Sequence, residues 1–96
     1  MKKIGSFLVM LVLFSFLLSG CYYFSAKKEM RNADKLINEL KAAGGETLAP
    51  YEYCSAGDFF VVSQIEFNEK DFKASKQFAE RSKSAAEAGL TKAKKK

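Results

Sequence analysis

The chain has no histidine and no tryptophan, a single proline, and only two cysteines among its 96 residues. Without histidine there is no imidazole to activate a cysteine or serine nucleophile, and the commonest nitrogen ligand for a metal is missing. No glycine-rich phosphate loop is present either, so no catalytic residue, cofactor or metal is expected and the chain reads as a non-enzyme. The acidic residues that come nearest to a carboxylate pair, Glu52 and Asp58, are six apart, a spacing that puts them on different sides of a helix. A strong charge of one sign is also missing. Sixteen basic and eleven acidic side chains give a formal +5. Lys2, Lys3 and the four lysines of the terminal TKAKKK account for that excess. The body between is near neutral and lacks a basic face interleaved with aromatics, which excludes a nucleic-acid partner.

The one long hydrophobic run is Phe7 to Leu18, twelve residues interrupted only by Ser15 and preceded by Lys2 and Lys3. A basic head followed by a short apolar core is the grammar of a secretory signal. Wound as a helix the core reaches roughly 18 Å, short of the roughly 30 Å needed to span hydrocarbon, so a permanent transmembrane anchor is the weaker reading. An ordinary signal ends in an Ala-x-Ala-like site. This one ends Leu18-Ser19-Gly20-Cys21, which resembles a bacterial lipobox. The resemblance implies that residues 1–20 are a cleaved signal, that Cys21 receives a diacylglyceryl group on its sulfur, and that its new amino terminus is acylated, palmitate being the usual chain. Several acyl chains hold a protein on its membrane essentially permanently. In two-membrane bacteria an aspartate after such a cysteine favours inner-membrane retention. Tyr22 stands there instead and points to the outer membrane, facing the periplasm. With Cys21 occupied, Cys54 is left single. It is read as a small buried apolar residue, the other reading being an intermolecular disulfide that would support self-association.

The mature part, residues 21–96, is at most one domain. Residues 21–24 are read as the lipidated terminus and tether, and residues 25–89 as the domain. Ala26, Met30, Ala33, Ile37 and Leu40 recur at helical spacing opposite Lys27, Lys28, Arg31, Lys35 and Lys41, which predicts an amphipathic helix over 25–44 ended by Gly44. Phe72, Ser75, Phe78, Ala79, Ser82, Ala85 and Ala86 form one stripe of a second helix over 71–88, started by Asp71 and stopped by Gly89. The stripe is made mostly of small side chains, which lets a neighbour approach closely. The stretch between, 51–67, has the β-branched and aromatic content of a strand, but no other segment offers it a pairing edge. Wound as a helix it has two apolar faces. Tyr51, Cys54, Val61, Val62 and Ile65 make one; Tyr53, Ala56, Phe60, Ser63 and Phe67 make the other. Two such faces predict the middle position of a three-helix arrangement, with Pro50 at its start. The lysine-rich tail, 90–96, is read as a frayed, solvated run.

The segments LAPYEYCSAGDFF and NEKDFKASKQFAERSKSAAEAG resemble a family of small bacterial envelope lipoproteins, or lipoprotein-borne domains, of unknown function. In that family an Ala-Pro-Tyr-Glu-Tyr opening leads to an Asp-aromatic turn and alanine-rich helices akin to a tetratricopeptide hairpin. Ala49 to Tyr53 match the opening, Asp71 and Phe72 the turn, and Ala56, Ser63, Ser75, Ala79, Ser82 and Ala86 the ladder of small residues. The resemblance implies an all-α fold, a signal helix followed by a three-helix, tetratricopeptide-like antiparallel arrangement, and an envelope location. The expected function is a membrane-anchored interaction or structural module with a protein or cell-wall partner, touching lipid through the Cys21 acyl chains. The alternative is a wall linker similar to the murein lipoprotein, joined to peptidoglycan through Lys96, although Gly44, Gly45 and Pro50 interrupt the long heptad on which that protein depends.

Overall fold

The computed structural model describes the backbone of residues 2–95 and the side chains of residues 5–13 and 22–95. In chain order its elements are α1 (Lys2–Ala42), α2 (Gly45–Leu48), α3 (Pro50–Asn68) and α4 (Phe72–Lys95), with no strand among the described residues. The all-α expectation is therefore met, and the strand-like composition of 51–67 is overridden. A lone strand would have left its backbone groups unpaired, whereas a helix satisfies them internally.

Several boundaries differ from those expected, each for a physical reason. The signal segment and the first domain helix are one element, because no proline and no strong stop separates Leu18 from Lys27 and Ser19-Gly20 alone does not end a helix. Residues 21–24, expected as a tether, thus lie within α1. That helix ends where Gly44 takes a left-handed φ of 82°, with Gly44 N–H donating to Lys41 O at 3.0 Å. A single turn, α2, then intervenes before Pro50 opens α3 at a position where a missing N–H costs nothing. At the other end of α3, Lys70 adopts φ 67°. Lys70 N–H donates to Phe67 O at 3.0 Å and Asp71 N–H to Glu66 O at 2.9 Å, the paired bonds of a Schellman turn. Asp71 Oδ1 accepts from Ala74 N–H at 3.1 Å, the capping role expected of it. Helix α4 then runs through Gly89 to Lys95 instead of stopping at 88. The tail is held in the helix because Ala93 is buried and Lys92 Nζ lies 3.5 Å from Glu52 Oε1.

The packing order is also corrected. The middle of the bundle is α4, not α3: α4 lies along both α1 and α3, while α1 and α3 meet over a smaller area. Its stripe of Ser75, Ala79, Ser82, Ala86, Gly89 and Ala93 is buried throughout. Opposite it are buried Ala26, Ala33 and Leu40 from α1 and Ala56 and Ser63 from α3, both at seven-residue spacing. Such small side chains bring helix axes close. Polar atoms buried between them are matched across the gap: Ser63 Oγ donates to Ser75 O at 2.7 Å, Ser75 Oγ to Ser63 O at 2.9 Å, and Ser82 Oγ to Ala56 O at 2.6 Å. These pairings run α3 antiparallel to α4. Met30 beside Ser75 and Leu40 beside Gly89 run α1 parallel to α4, giving an up-down-up bundle. The N-terminal part of α1 projects from it, and the whole measures 69 × 19 × 14 Å.

Candidate functional site

The residues singled out for lipidation and cleavage, Cys21 with Leu18, Ser19 and Gly20, have side chains outside the described set, as does Lys96. What is described is the ground next to Cys21. Before it, Phe7 to Leu13 are all exposed. Among the described residues no helix is long and apolar enough to cross a membrane.

Immediately after Cys21 an aromatic cluster closes the near end of the bundle, hereafter its base. The Tyr23 ring centroid lies 5.4 Å from that of Phe67, 5.1 Å from Phe72 and 5.4 Å from Phe24. Phe67 and Phe72 are themselves 5.1 Å apart and tilted edge to face, a favourable aromatic geometry. The three long helices contribute: α1 brings Tyr23, α3 brings Phe67 in its last turn and α4 starts at Phe72. Cations border the cluster, with Lys27 Nζ 5.1 Å from the Tyr23 ring centre and Lys76 Nζ 5.9 Å from that of Tyr22. On its outer side Phe24, Lys27, Met30, Arg31 and Phe67 line an open groove of about 480 Å³. Phe24 is 72% exposed.

A second surface lies on the outside of α3. Only one of its two apolar faces is packed: Ala56 and Ser63 are buried, with Tyr53, Phe60 and Phe67 half-buried. The other is turned mostly to solvent, with Tyr51 77%, Val61 52% and Ile65 48% exposed and Val62 half-buried. Cys54, read as a buried apolar residue, is a free and exposed thiol on this same face. The expectation failed because α4, with a small-residue stripe broad enough for two neighbours, took the middle position. Sequence reasoning found both faces of α3 but assigned each a neighbour within the chain.

The acidic residues are not brought together. Glu52 turns toward Lys92 on α4, and one of its carboxylate oxygens is buried with no hydrogen-bond partner, while Asp58 is exposed on the outer face of α3. Among the described residues no group of three or more cysteine, aspartate or glutamate side chains is placed to hold a metal ion. What the geometry offers is contact surface, one part aromatic and basic at the base and one part apolar along α3. Comparison with protein-family models, with curated proteins and with solved structures finds no match to this chain.

Proposed function

We propose that this chain is a bacterial envelope lipoprotein, cut after Gly20 and lipidated on Cys21, whose tetratricopeptide-like helical bundle acts as a small protein-interaction or structural module on the outer membrane, facing the periplasm. One observation supports the reading best. A cut at Gly20 coincides with the edge of the packed bundle: Tyr23 is already in the aromatic cluster and Ala26 is fully buried, whereas the described residues before the cut are exposed. Processing there would remove the exposed apolar stretch of Phe7 to Leu13 and leave the core intact. The exposed side chains of Tyr51, Val61 and Ile65 make this outer face of α3 the surface best suited to a protein partner, since apolar side chains grouped on an exposed face mark contact surfaces.

The test is mass spectrometry of the protein purified from native membranes, combined with photo-crosslinking from position 61. The reading expects a chain beginning at Cys21, carrying acyl groups and joined to an envelope protein or a wall fragment. An intact Met1 with an unmodified Cys21 overturns the anchoring. An acylated chain that crosslinks to nothing overturns the interaction role. A second reading, a wall linker attached through Lys96, draws on the course of α4, which continues helical to Lys95 at the end of the bundle away from the base. Digestion of cell wall to muropeptides would then yield a fragment bound to Lys96, and its absence disposes of this alternative.

A further inference from the structure

The lipid anchor of such a protein is ordinarily pictured as a leash, but here there is no slack for one. Helix α1 is continuous through Cys21, and Tyr23, two residues on, is packed between Phe67 and Phe72. Whatever membrane holds Cys21 must therefore lie against the base of the bundle.

That base has the chemistry of a membrane interface. Amphipathic aromatic rings sit preferentially at the headgroup level, and lysine and arginine near a membrane surface are attracted to anionic lipid. Within residues 22–31 and 66–76 the cations Lys27, Lys28, Arg31, Lys70, Lys73 and Lys76 outnumber four acidic residues; Glu29 is paired with Lys83 at 3.4 Å and Lys76 with Glu80 at 4.0 Å, which leaves five cations against three acids. The groove beside the cluster combines both features. Lys27 and Arg31, one helical turn apart, flank an apolar floor of Phe24, Met30 and Phe67. Phe24 projects from it into solvent.

We propose that the base is a second, non-covalent membrane site: it seats on the lipid surface with Phe24 at the acyl boundary and Lys27 and Arg31 on the phosphates of anionic headgroups. The bundle then stands upright with its long helices near the membrane normal, and the outer face of α3 is presented sideways to neighbours. This inference rests on the anchoring reading above and adds to it a fixed orientation and a preference for anionic lipid.

The absence of native tryptophan makes the test direct. The chain carrying Phe24→Trp, purified from native membranes after removal of residues 1–20, is reconstituted into vesicles of phosphatidylcholine, with or without phosphatidylglycerol, that contain lipids brominated near the headgroup. The control is Tyr51→Trp, sixteen residues up α3 from Phe67 and so about 24 Å away along the helix. The expected result is several-fold stronger quenching at position 24 than at 51, strengthened by phosphatidylglycerol. Charge reversal at Lys27 and Arg31 (K27E/R31E) should abolish the anionic-lipid enhancement, each cation contributing roughly fivefold to headgroup affinity. Relaxation of the native Phe24 ring protons by a paramagnetic lipid gives the same readout with no substitution. Vesicle flotation separates the two ideas. A chain that does not float overturns the anchoring and the docking with it. A chain that floats while position 24 is quenched no more than position 51 overturns the docking alone, and a photo-crosslink from position 24 to protein instead of lipid overturns it in favour of a protein occupant.

Discussion

Two helical glycines show how far the energetics of this bundle depend on local surroundings. A methyl group added at Gly89 would meet Leu40 Cδ2 at 2.7 Å, with Leu40 Cδ1 and Glu52 Cβ both at 3.1 Å. At Gly89, α1, α3 and α4 thus approach one another closely, and its lack of a side chain makes room for Leu40, the largest fully buried side chain among the described residues. At Gly57 the same methyl group meets nothing within 4 Å. Replacing helical glycine by alanine is intrinsically worth about 1 kcal/mol. At Gly57 that gain is free, and Gly57→Ala should raise stability by roughly 0.5–1 kcal/mol. At Gly89 overpacking of about 1–3 kcal/mol opposes it, so Gly89→Ala should lower stability. The contact is one of complementary size, so the two positions must be coupled. Leu40→Ala alone should cost about 2–5 kcal/mol through the cavity it leaves. Added to it, Gly89→Ala should no longer destabilise, because its methyl group enters that cavity. Urea midpoints of the four variants measure this, and strict additivity of the Leu40 and Gly89 changes would show that the close approach is not energetically real.

At the scale of elements, what the sequence made legible was the pattern on each helix; what it hid was which helix the others pack around. The two single-period patterns face inward: Ser75, Ala79, Ser82 and Ala86 are buried with Phe72, Phe78 and Ala85 half-buried, and Ala26, Ala33 and Leu40 are buried with Met30 and Ile37 half-buried. Segment 51–67 has two apolar faces, and a sequence alone does not say whether the second face meets a neighbour in the same chain or something outside it. Gly89 was misread for a related reason: glycine marks both helix ends and close helix contacts, and only the proximity of Leu40 and Glu52 tells which. The lipidation residues lie outside the described side chains, so the candidate site was legible only at the level of motif. The α3–α4 turn offers a sharper case. A Schellman turn places a left-handed residue where glycine is usual, and here it is Lys70 at φ 67°. A side chain in that conformation costs roughly 1 kcal/mol. Lys70→Gly should therefore stabilise the chain by about 0.5–1 kcal/mol despite the added freedom of its unfolded state, with Asp71 still capping α4. A lower midpoint for Lys70→Gly would mean that the lysine side chain contributes more at this turn than its backbone strain costs.

For the molecule as a whole, the buried set among the described residues runs from Ala26 to Ala93. A bundle of some 70 residues whose core is largely alanine and serine is only marginally stable, so small terms at its ends count. Under the proposed processing, α1 would begin at Cys21, and the first four N–H groups of the shortened helix would lose their intrahelical partners. Phe24 has no acceptor, and the phenol oxygens of Tyr22 and Tyr23 stand at the far ends of rigid rings, away from these N–H groups. A free amino group at this end would also place positive charge at the positive pole of the helix dipole, whereas an N-acylated terminus carries none. Acylation of the terminal amine should thus stabilise the bundle by about 0.3–1 kcal/mol over the same chain bearing only the thioether-linked diacylglyceryl group. The measurement is the denaturation midpoint of the two forms in one detergent at low ionic strength, and the difference should shrink as salt is raised because the effect is electrostatic. A difference that persists unchanged at high salt would point instead to the extra acyl chain packing against the aromatic base, and no difference at all would mean that the first turn of α1 unwinds once the segment before it is gone.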